Sequence, residues 1–470
     1  MKIHANAKNL LLAIQPALIG STKDAQRNNV SSFYCDFTVK SNEIVCCSFG
    51  GEIGTRTELN INNDDIANFS IEDVKNDEEV RFVVKTNDFK AALMSFDESD
   101  VCIDIMQYAE EEGNDSGDDN SSEQDAFDSN VVYVKEKMGS AIRIILKNDP
   151  DQYQTMPMYL LNMEMEDKSV KNIKNIDSKH YVSIGREVFV SSAKRLLFSR
   201  NDQESYETYK YWVLRKRDNI LRFVMGNGRQ FAALTVQGEQ EMVRHAEKDF
   251  TLYIPSEHTP VILDILDKLN DDFVDFIFNL EDEEGQTSFV LRTPNNIVKM
   301  SYAMPEKDWP DEDNIINARS KYRVTTKVSD WDNAIQSIQA TYSEDMKKQN
   351  EVHLVKLEID EKNNELKAIT KGSLSSQRKI NIHDYDLNKD MDNQANPWFI
   401  SHYIINAIKA APNRDEFIQI EIGSEFKNAG IVRLHANKNI SENDDLWSET
   451  GSSGFKEQFV SFFVSQVTKL

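Results

Sequence analysis

Four cysteines in 470 residues, none in a Cys-x-x-Cys spacing, are too few for a disulfide framework or a thiolate metal cluster. Cys35, Cys46, Cys47 and Cys102 lie in apolar, strand-like runs, so buried, reduced thiols and a cytoplasmic location are expected. An apolar run of the ~20 residues that a membrane helix needs is also missing. The opening MKIHANAKNLLLAIQPALIG has a short apolar segment, but Lys8 and Asn9 interrupt its approach and no small-residue cleavage site follows. It reads as the first helix of the fold, not as a signal peptide.

Motifs that carry chemistry are absent too. There is no GxGxxG or Walker sequence, and the glycines at Gly50 to Gly54 and Gly226 to Gly228 read as hairpin turns. The eight histidines (His4, His180, His245, His258, His353, His383, His402 and His435) show no HExxH or HxH spacing. His402, early in a predicted helix, reads as a surface residue. GSSG at Gly451 lacks the strand-to-helix setting of a nucleophile elbow. No catalytic residue, metal or cofactor is implied, which disfavours a hydrolase and points to a protein that is not an enzyme.

A net positive charge is the last thing missing. The formal net charge is −25, which argues against a generic basic nucleic-acid binder. Nine acidic and no basic residues fall between Ala109 and Asn130, a stretch poor enough in apolar residues to be expected as a disordered loop. The remainder is still acidic, so any attraction to phosphates has to be local.

What is present is a succession of elements that occurs three times. In the middle copy, Arg186 to Gln237 reads as a helix, a loop with Arg200, Tyr206, Tyr209 and Lys210, and a hairpin across Lys216 to Asn219. A Gly turn then launches RQFAALTVQ. The first copy begins with a helix from Asn6 to Ile19, which Pro16 should kink or end. In the last, Ser329 is the expected N-cap of a helix running to about Tyr342. Each third reads β-α-loop-β-β-β followed by β-α-β-β-β, about 150 residues with two helices. Helices on one face of antiparallel sheets, an α+β fold, are expected. The predicted domains are 1–165, 178–312 and 320–470.

The chain resembles the bacterial DNA polymerase III beta subunit, the sliding clamp, over essentially its whole length. The stretches that carry the resemblance are ILRFVMGNGRQFAAL, the domain-closing run YAMPEKDWPD, the helix start WFISHYIINAI and the C-terminal FVSFFVSQVTKL. The resemblance implies three tandem DNA-clamp domains forming half of a closed ring, with helices lining a central hole. Its implied role is a processivity factor that encircles duplex DNA and tethers the replicative polymerase and other replication or repair proteins. A few basic and polar side chains would suffice, because topology replaces affinity.

By that resemblance the DNA-facing set is Arg27, Lys90, Lys194, Arg200, Tyr206, Tyr209, Lys210, Lys347 and Lys409. A pocket for short hydrophobic peptides of the polymerase and clamp loader carries over to Gly228, Phe231, Pro310, Ile315, Tyr403, Val464, Gln466, Val467 and Leu470. The homodimer interface would use an edge strand near Ala141 to Leu146, including Ile142 and Ile144, and the helix end at Ala340 and Thr341. Some positions depart from the family. Arg229-Gln230 replaces its His-Arg, Gln466-Val467-Thr468 its Met-Pro-Met, and Ser256-Glu257 a basic pair. Such divergence would suit a clamp encoded by a virus or mobile element. The alternative is a non-enzymatic viral scaffold of repeated β-rich domains, which would have no reason to gather Arg and Lys on its helices.

Overall fold

The computed structural model describes residues 1–23, 33–49, 53–61, 69–73, 79–106, 134–161, 181–200, 209–218, 220–237, 243–244, 249–281, 287–301, 309, 312–342, 353–371, 375–389, 398–411, 413–424, 429–435, 448–449 and 456–464. The acidic stretch between Ala109 and Asn130 lies outside them.

The first third runs β1 (Lys2–Asn6), α1 (Ala7–Lys23), β2 (Tyr34–Val39), β3 (Glu43–Phe49), β4 (Ile53–Asn60) and β5 (Phe69–Glu72). It continues with β6 (Val80–Lys85), α2 (Thr86–Ser95), β7 (Asp100–Met106), β8 (Val134–Leu146) and β9 (Asp149–Leu161). The middle third repeats the order: β10 (Tyr181–Gly185), α3 (Arg186–Leu196), β11 (Tyr211–Arg217), β12 (Ile220–Gly226), β13 (Gln230–Gln237) and β14 (Val243–Arg244). Then follow β15 (Phe250–Pro255), α4 (Thr259–Leu266), β16 (Phe273–Glu281), β17 (Thr287–Arg292) and β18 (Asn296–Ser301). After a short helix α5 (Glu312–Ile316) the last third has β19 (Ser320–Lys327), α6 (Asp332–Ala340), β20 (Leu354–Asp360), β21 (Glu365–Lys371), β22 (Ser376–Asn381) and β23 (Asp384–Leu387). It ends with β24 (Trp398–Ile400), α7 (Ser401–Lys409), β25 (Phe417–Ser424), β26 (Ala429–His435), β27 (Ser448–Glu449) and β28 (Lys456–Val464). The architecture is α+β, few helices on antiparallel sheets, and the β-α-β-β-β order recurs six times.

The chain divides into two compact units, and each takes half of the middle third. One comprises residues 1–186 and 260–303, the other 187–259 and 304–470. Sheet continuity explains the division. In the first unit a long antiparallel sheet runs β10-β16-β17-β18-β4-β3-β2-β6-β9-β8-β7-β1-β5. There β18 of the middle third bonds β4 of the first, from Asn296↔Thr57 to Met300↔Ile53. In the second unit the order is β15-β11-β12-β13-β28-β26-β25-β19-β23, and a separate sheet runs β22-β21-β20-β24. Here β13 of the middle third bonds β28 of the last over eight residue pairs.

Local sequence accounts for the elements. Strand β4, IGTRTELN, alternates strictly between buried and half-buried residues, the period-2 pattern of a strand with one face on the core. Helix α1 buries Leu10, Ile14, Ala17 and Leu18 against Phe37, Phe82, Phe89 and Leu93, each large side chain contributing about 1.5–3 kcal/mol of transfer free energy. Pro16 does not end this helix, which continues to Lys23. At the next residue, the Ala17 carbonyl accepts hydroxyl hydrogen bonds from Ser48 and from Thr55, the latter at 2.8 Å. Buried Asp36 is held by a two-pronged Arg81 contact at 2.6–3.0 Å.

Other boundaries moved. Ser329 does not cap a helix but sits inside a 3-10 turn, Val328–Trp331, that precedes α6; Asp330 accepts from the Lys327 N–H instead. Residues 256–258 form a turn before helix α4. Cys35, Cys46 and Cys47 are buried free thiols, and Cys102 is half-buried. Burial, with Cys35 alongside, pushes the Cys46 thiol well up from its ordinary value.

Candidate functional site

Two features of the fold stand out: the six longer helices, and an apolar cluster beside the β12–β13 turn. The six helices carry seven basic side chains (Lys8, Lys23, Lys90, Arg186, Lys194, Arg195 and Lys409) against four acidic ones (Asp88, Glu187, Asp264 and Asp332). That is an excess of three positive charges in a chain of −25. Several of these cations are already engaged. Lys8 bonds Glu98, which raises the lysine's pKa. Arg186 donates to the carbonyls of Asp271 and Leu266. Arg195 donates to the Ala410 carbonyl and lies over the Phe459 ring.

Lys194 in the last turn of α3, Lys409 in the last turn of α7, and Lys210 are exposed, whereas Lys90 is half-buried. Arg200 is half-buried and its Nη1 donates to the Ser256 carbonyl at 3.0 Å. Tyr209 differs from expectation. Rather than standing out from a loop, its ring packs edge-on against Trp309 at 5.2 Å, at the rim of an apolar cluster. Arg27, Tyr206 and Lys347 lie outside the described residues.

The cluster is built by a turn and a short helix. Asn227 Oδ1 accepts the N–H groups of Arg229 and Gln230, at 3.0 and 2.8 Å. Gly228 takes φ 82°, a left-handed conformation that suits glycine. The turn delivers Phe231 into a cluster with Val213, Val224, Trp309, Ile316 and Val460, rimmed by Tyr209, Tyr253, Ile315 and Phe462. Helix α5 is fastened to the outer face of β11 and β12 by charge. Arg215 Nη1 donates to Glu312 at 2.8 Å, and Arg222 bonds Asp313. Glu312 is only 1% exposed.

Of the expected pocket residues, Phe231 and Ile315 therefore share one cluster, and Gly228 sits exposed on the turn beside it. Tyr403 is buried on α7, where its carbonyl accepts the Gln230 amide at 3.2 Å and Arg229 bonds its hydroxyl. Val464 ends β28, paired with Ala429. Pro310, Gln466, Val467 and Leu470 lie outside the described residues. Trp309 and Tyr253 were missed; only the run KDWPD hinted at the first.

The expected interface strand is corrected. β8 is not an edge: it bonds β7 from Val101↔Leu146 to Met106↔Ala141, and β9 on its other side. Ile142 and Ile144 are fully buried in the core of their own chain. Thr341 is buried as well, its hydroxyl donating to the Ile338 carbonyl and touching His353 Nε2, while Ala340 is exposed. Open edges occur elsewhere. Between Asp149 and Pro157, β9 bonds only β8, and β22 bonds only β21 among the described residues.

No family model matches the chain, and no curated protein matches it by sequence. Solved structures do match. The DNA polymerase III beta subunit of Thermotoga maritima is 13% identical, with 99% of each chain covered and a TM-score of 0.66. The DNA polymerase sliding clamp of Bacillus subtilis is 11% identical, covering 100% of this chain and 99% of that one, also at 0.66. The DNA polymerase III beta chain of Streptococcus pneumoniae is 14% identical, covering 99% and 100%, at 0.67. The chain thus has the sliding-clamp fold from end to end, with a sequence far from these neighbours.

Proposed function

We propose that this protein is a sliding clamp: two copies close around duplex DNA, and the ring tethers a DNA polymerase and other replication proteins. The observation that carries this reading is the likeness to DNA polymerase beta clamps over 99–100% of the chain. An element order that recurs six times supports it. On this reading the chain comprises three clamp domains, 1–165, 178–312 and 320–470, whose sheets continue through the β4·β18 and β13·β28 pairings.

The chemistry asked of such a ring is slight. It must not hold bases tightly, so a small cationic excess on the helices suits it, with Lys194, Lys210 and Lys409 as the exposed candidates for phosphate contact. The strongly acidic remainder would keep DNA off the other surfaces. A short apolar peptide of the polymerase or clamp loader would dock on the apolar cluster beside Gly228, which contains Phe231 and Trp309 with Ile315 at its rim, and Arg229 and Tyr403 lie close by as polar groups.

Threading tests the reading. Protein allowed onto an open-ended duplex, whose ends are then capped by bulky protein blocks, should be trapped in high salt. Equal loss from capped and uncapped duplex would overturn it.

A further inference from the structure

The turn after β12 carries a guanidinium that no carboxylate of the described residues answers. Arg229 lies between Gly228, at φ 82°, and Gln230, the first residue of β13. Its side chain is exposed. Gln230 is only 2% exposed and spends its amide on the Tyr403 carbonyl and the Ser461 hydroxyl. The clamp resemblance puts arginine one residue later, at the buried position that Gln230 fills here.

Arg229 is fixed at both ends. Its main-chain N–H donates to Asn227 Oδ1 at 3.0 Å, and its guanidinium bonds the hydroxyl of buried Tyr403 on α7. A long side chain already held in this way gives up little further rotamer freedom when a ligand arrives. The guanidinium has five N–H donors in a planar fork, so one hydroxyl leaves most of them unspent. A carboxylate matches that fork with two parallel bonds.

The other arginines nearby are engaged. Arg215 and Arg222 meet Glu312 and Asp313, and Arg195 and Arg200 donate to main-chain carbonyls. In a chain of net charge −25, a positioned cation without an internal counter-charge is a local exception. It also adjoins an apolar surface. A Cβ on Gly226 would lie 3.4 Å from the Tyr209 ring and 3.5 Å from the Trp309 ring, so the turn bearing Arg229 rests on these aromatics. The next residue but one, Phe231, enters the same cluster, whose rim of Tyr209, Tyr253, Ile315 and Phe462 is partly buried.

We infer that Arg229, oriented by Tyr403, selects docking peptides that carry an Asp or Glu beside their apolar residues, the carboxylate taking the free edge of the guanidinium. The inference rests on the docking reading above and specifies the charge of the peptide. A DNA phosphate is the other anion that a clamp meets. The aromatic rim favours the peptide, because a phosphate brings no apolar group to cover it.

Selection from a library of random short peptides, displayed between fixed flanks and captured at low salt on the full chain, tests this. Peptides recovered on wild type should share apolar residues with Asp or Glu at one fixed spacing from them. On Arg229→Gln the apolar residues should persist and the acidic preference vanish. On Arg229→Glu, Lys or Arg should take the acidic position. In fluorescence anisotropy, the acid-to-amide version of a recovered peptide should bind wild type about fivefold more weakly, the upper end for an exposed ion pair. That difference should shrink at 1 M salt, where the screening length is ~3 Å. Tyr403→Phe frees the guanidinium and should reduce the discrimination while leaving the amide peptide's affinity unchanged. Circular dichroism melts matching wild type exclude misfolding.

Recovered peptides with shared apolar residues but no acidic position, or an acidic preference that survives Arg229→Gln, would overturn the inference and leave docking intact. Acidic peptides without apolar residues would overturn the docking reading but not the carboxylate contact. Recovery of no peptide would overturn both. Retention on circular DNA, measured with the same variants, covers the phosphate: a shorter stay for Arg229→Gln with unchanged peptide discrimination assigns Arg229 to DNA and overturns the inference.

Discussion

Replacing Glu312 with Ala should loosen the fastening of helix α5 and, with it, the apolar cluster beside Gly228. The carboxylate is 1% exposed, accepts from Arg215 at 2.8 Å and lies 3.7 Å from Arg222. Its removal takes this carboxylate from the half-buried Arg215, while Arg222 keeps Asp313. Breaking one side of a buried pair costs about 3–5 kcal/mol, and the 15% and 18% exposure of the two arginines places the effect toward the lower end. For a unit of this size, about 3 kcal/mol corresponds to a fall in Tm of roughly 6–12 °C. Differential scanning calorimetry of the full chain reads it directly. The double change Glu312→Leu with Arg215→Met should restore most of the loss, since apolar replacements of a buried pair are often neutral. Ile315 and Ile316 ride on the same helix, so a fluorescent polymerase-derived peptide should bind Glu312→Ala more weakly as well. A Tm within 2 °C of wild type, by the same size relation, would refute the reasoning.

Other perturbations follow from single positions. At Gly430, an added Cβ would lie 2.5 Å from the Phe463 ring, itself packed edge-on against buried Phe399. Gly430→Ala should therefore cost about 1–3 kcal/mol in urea unfolding; an unchanged midpoint would mean that Phe463 has room to move. His353 is buried with Nε2 on Thr341 and Nδ1 on Ser401, and burial lowers its pKa. Its contribution is present above the unfolded-state value near 6.5 and is lost as pH falls below it. Tm should drop between pH 7 and 5, less so in His353→Gln, and equal slopes would contradict this. Lys194→Glu with Lys210→Glu and Lys409→Glu should shorten the stay on DNA without changing the melt; an unchanged stay would remove these residues from the phosphate-facing set.

The order of elements was legible because β-α-β-β-β is written in local periodicity, apolar residues at helical spacing followed by alternating runs. Strand neighbours were not. The AIRIIL pattern of β8 identifies its buried face, but whether an edge is bonded is decided by strands far away in sequence, so the edge expected near Ala141 to Leu146 is in fact bonded on both sides. Tyr209 was placed in the phosphate-facing set by the resemblance; the packing of its ring on Trp309, a hundred residues on, is not written in local sequence. Pro16 was expected to kink or end its helix; the helix runs on to Lys23, and the Ser48 and Thr55 hydroxyls that meet the Ala17 carbonyl come from strands that local sequence does not place there. The turn at Gly226 to Gly228 was legible because Asn-Gly after an apolar strand is a local signal.

The most direct measurement compares retention on nicked circular duplex before and after a restriction cut. Protein held by topology should stay on the circle in high salt and leave promptly once an end exists. Release at the same rate from circle and linear form would contradict the account.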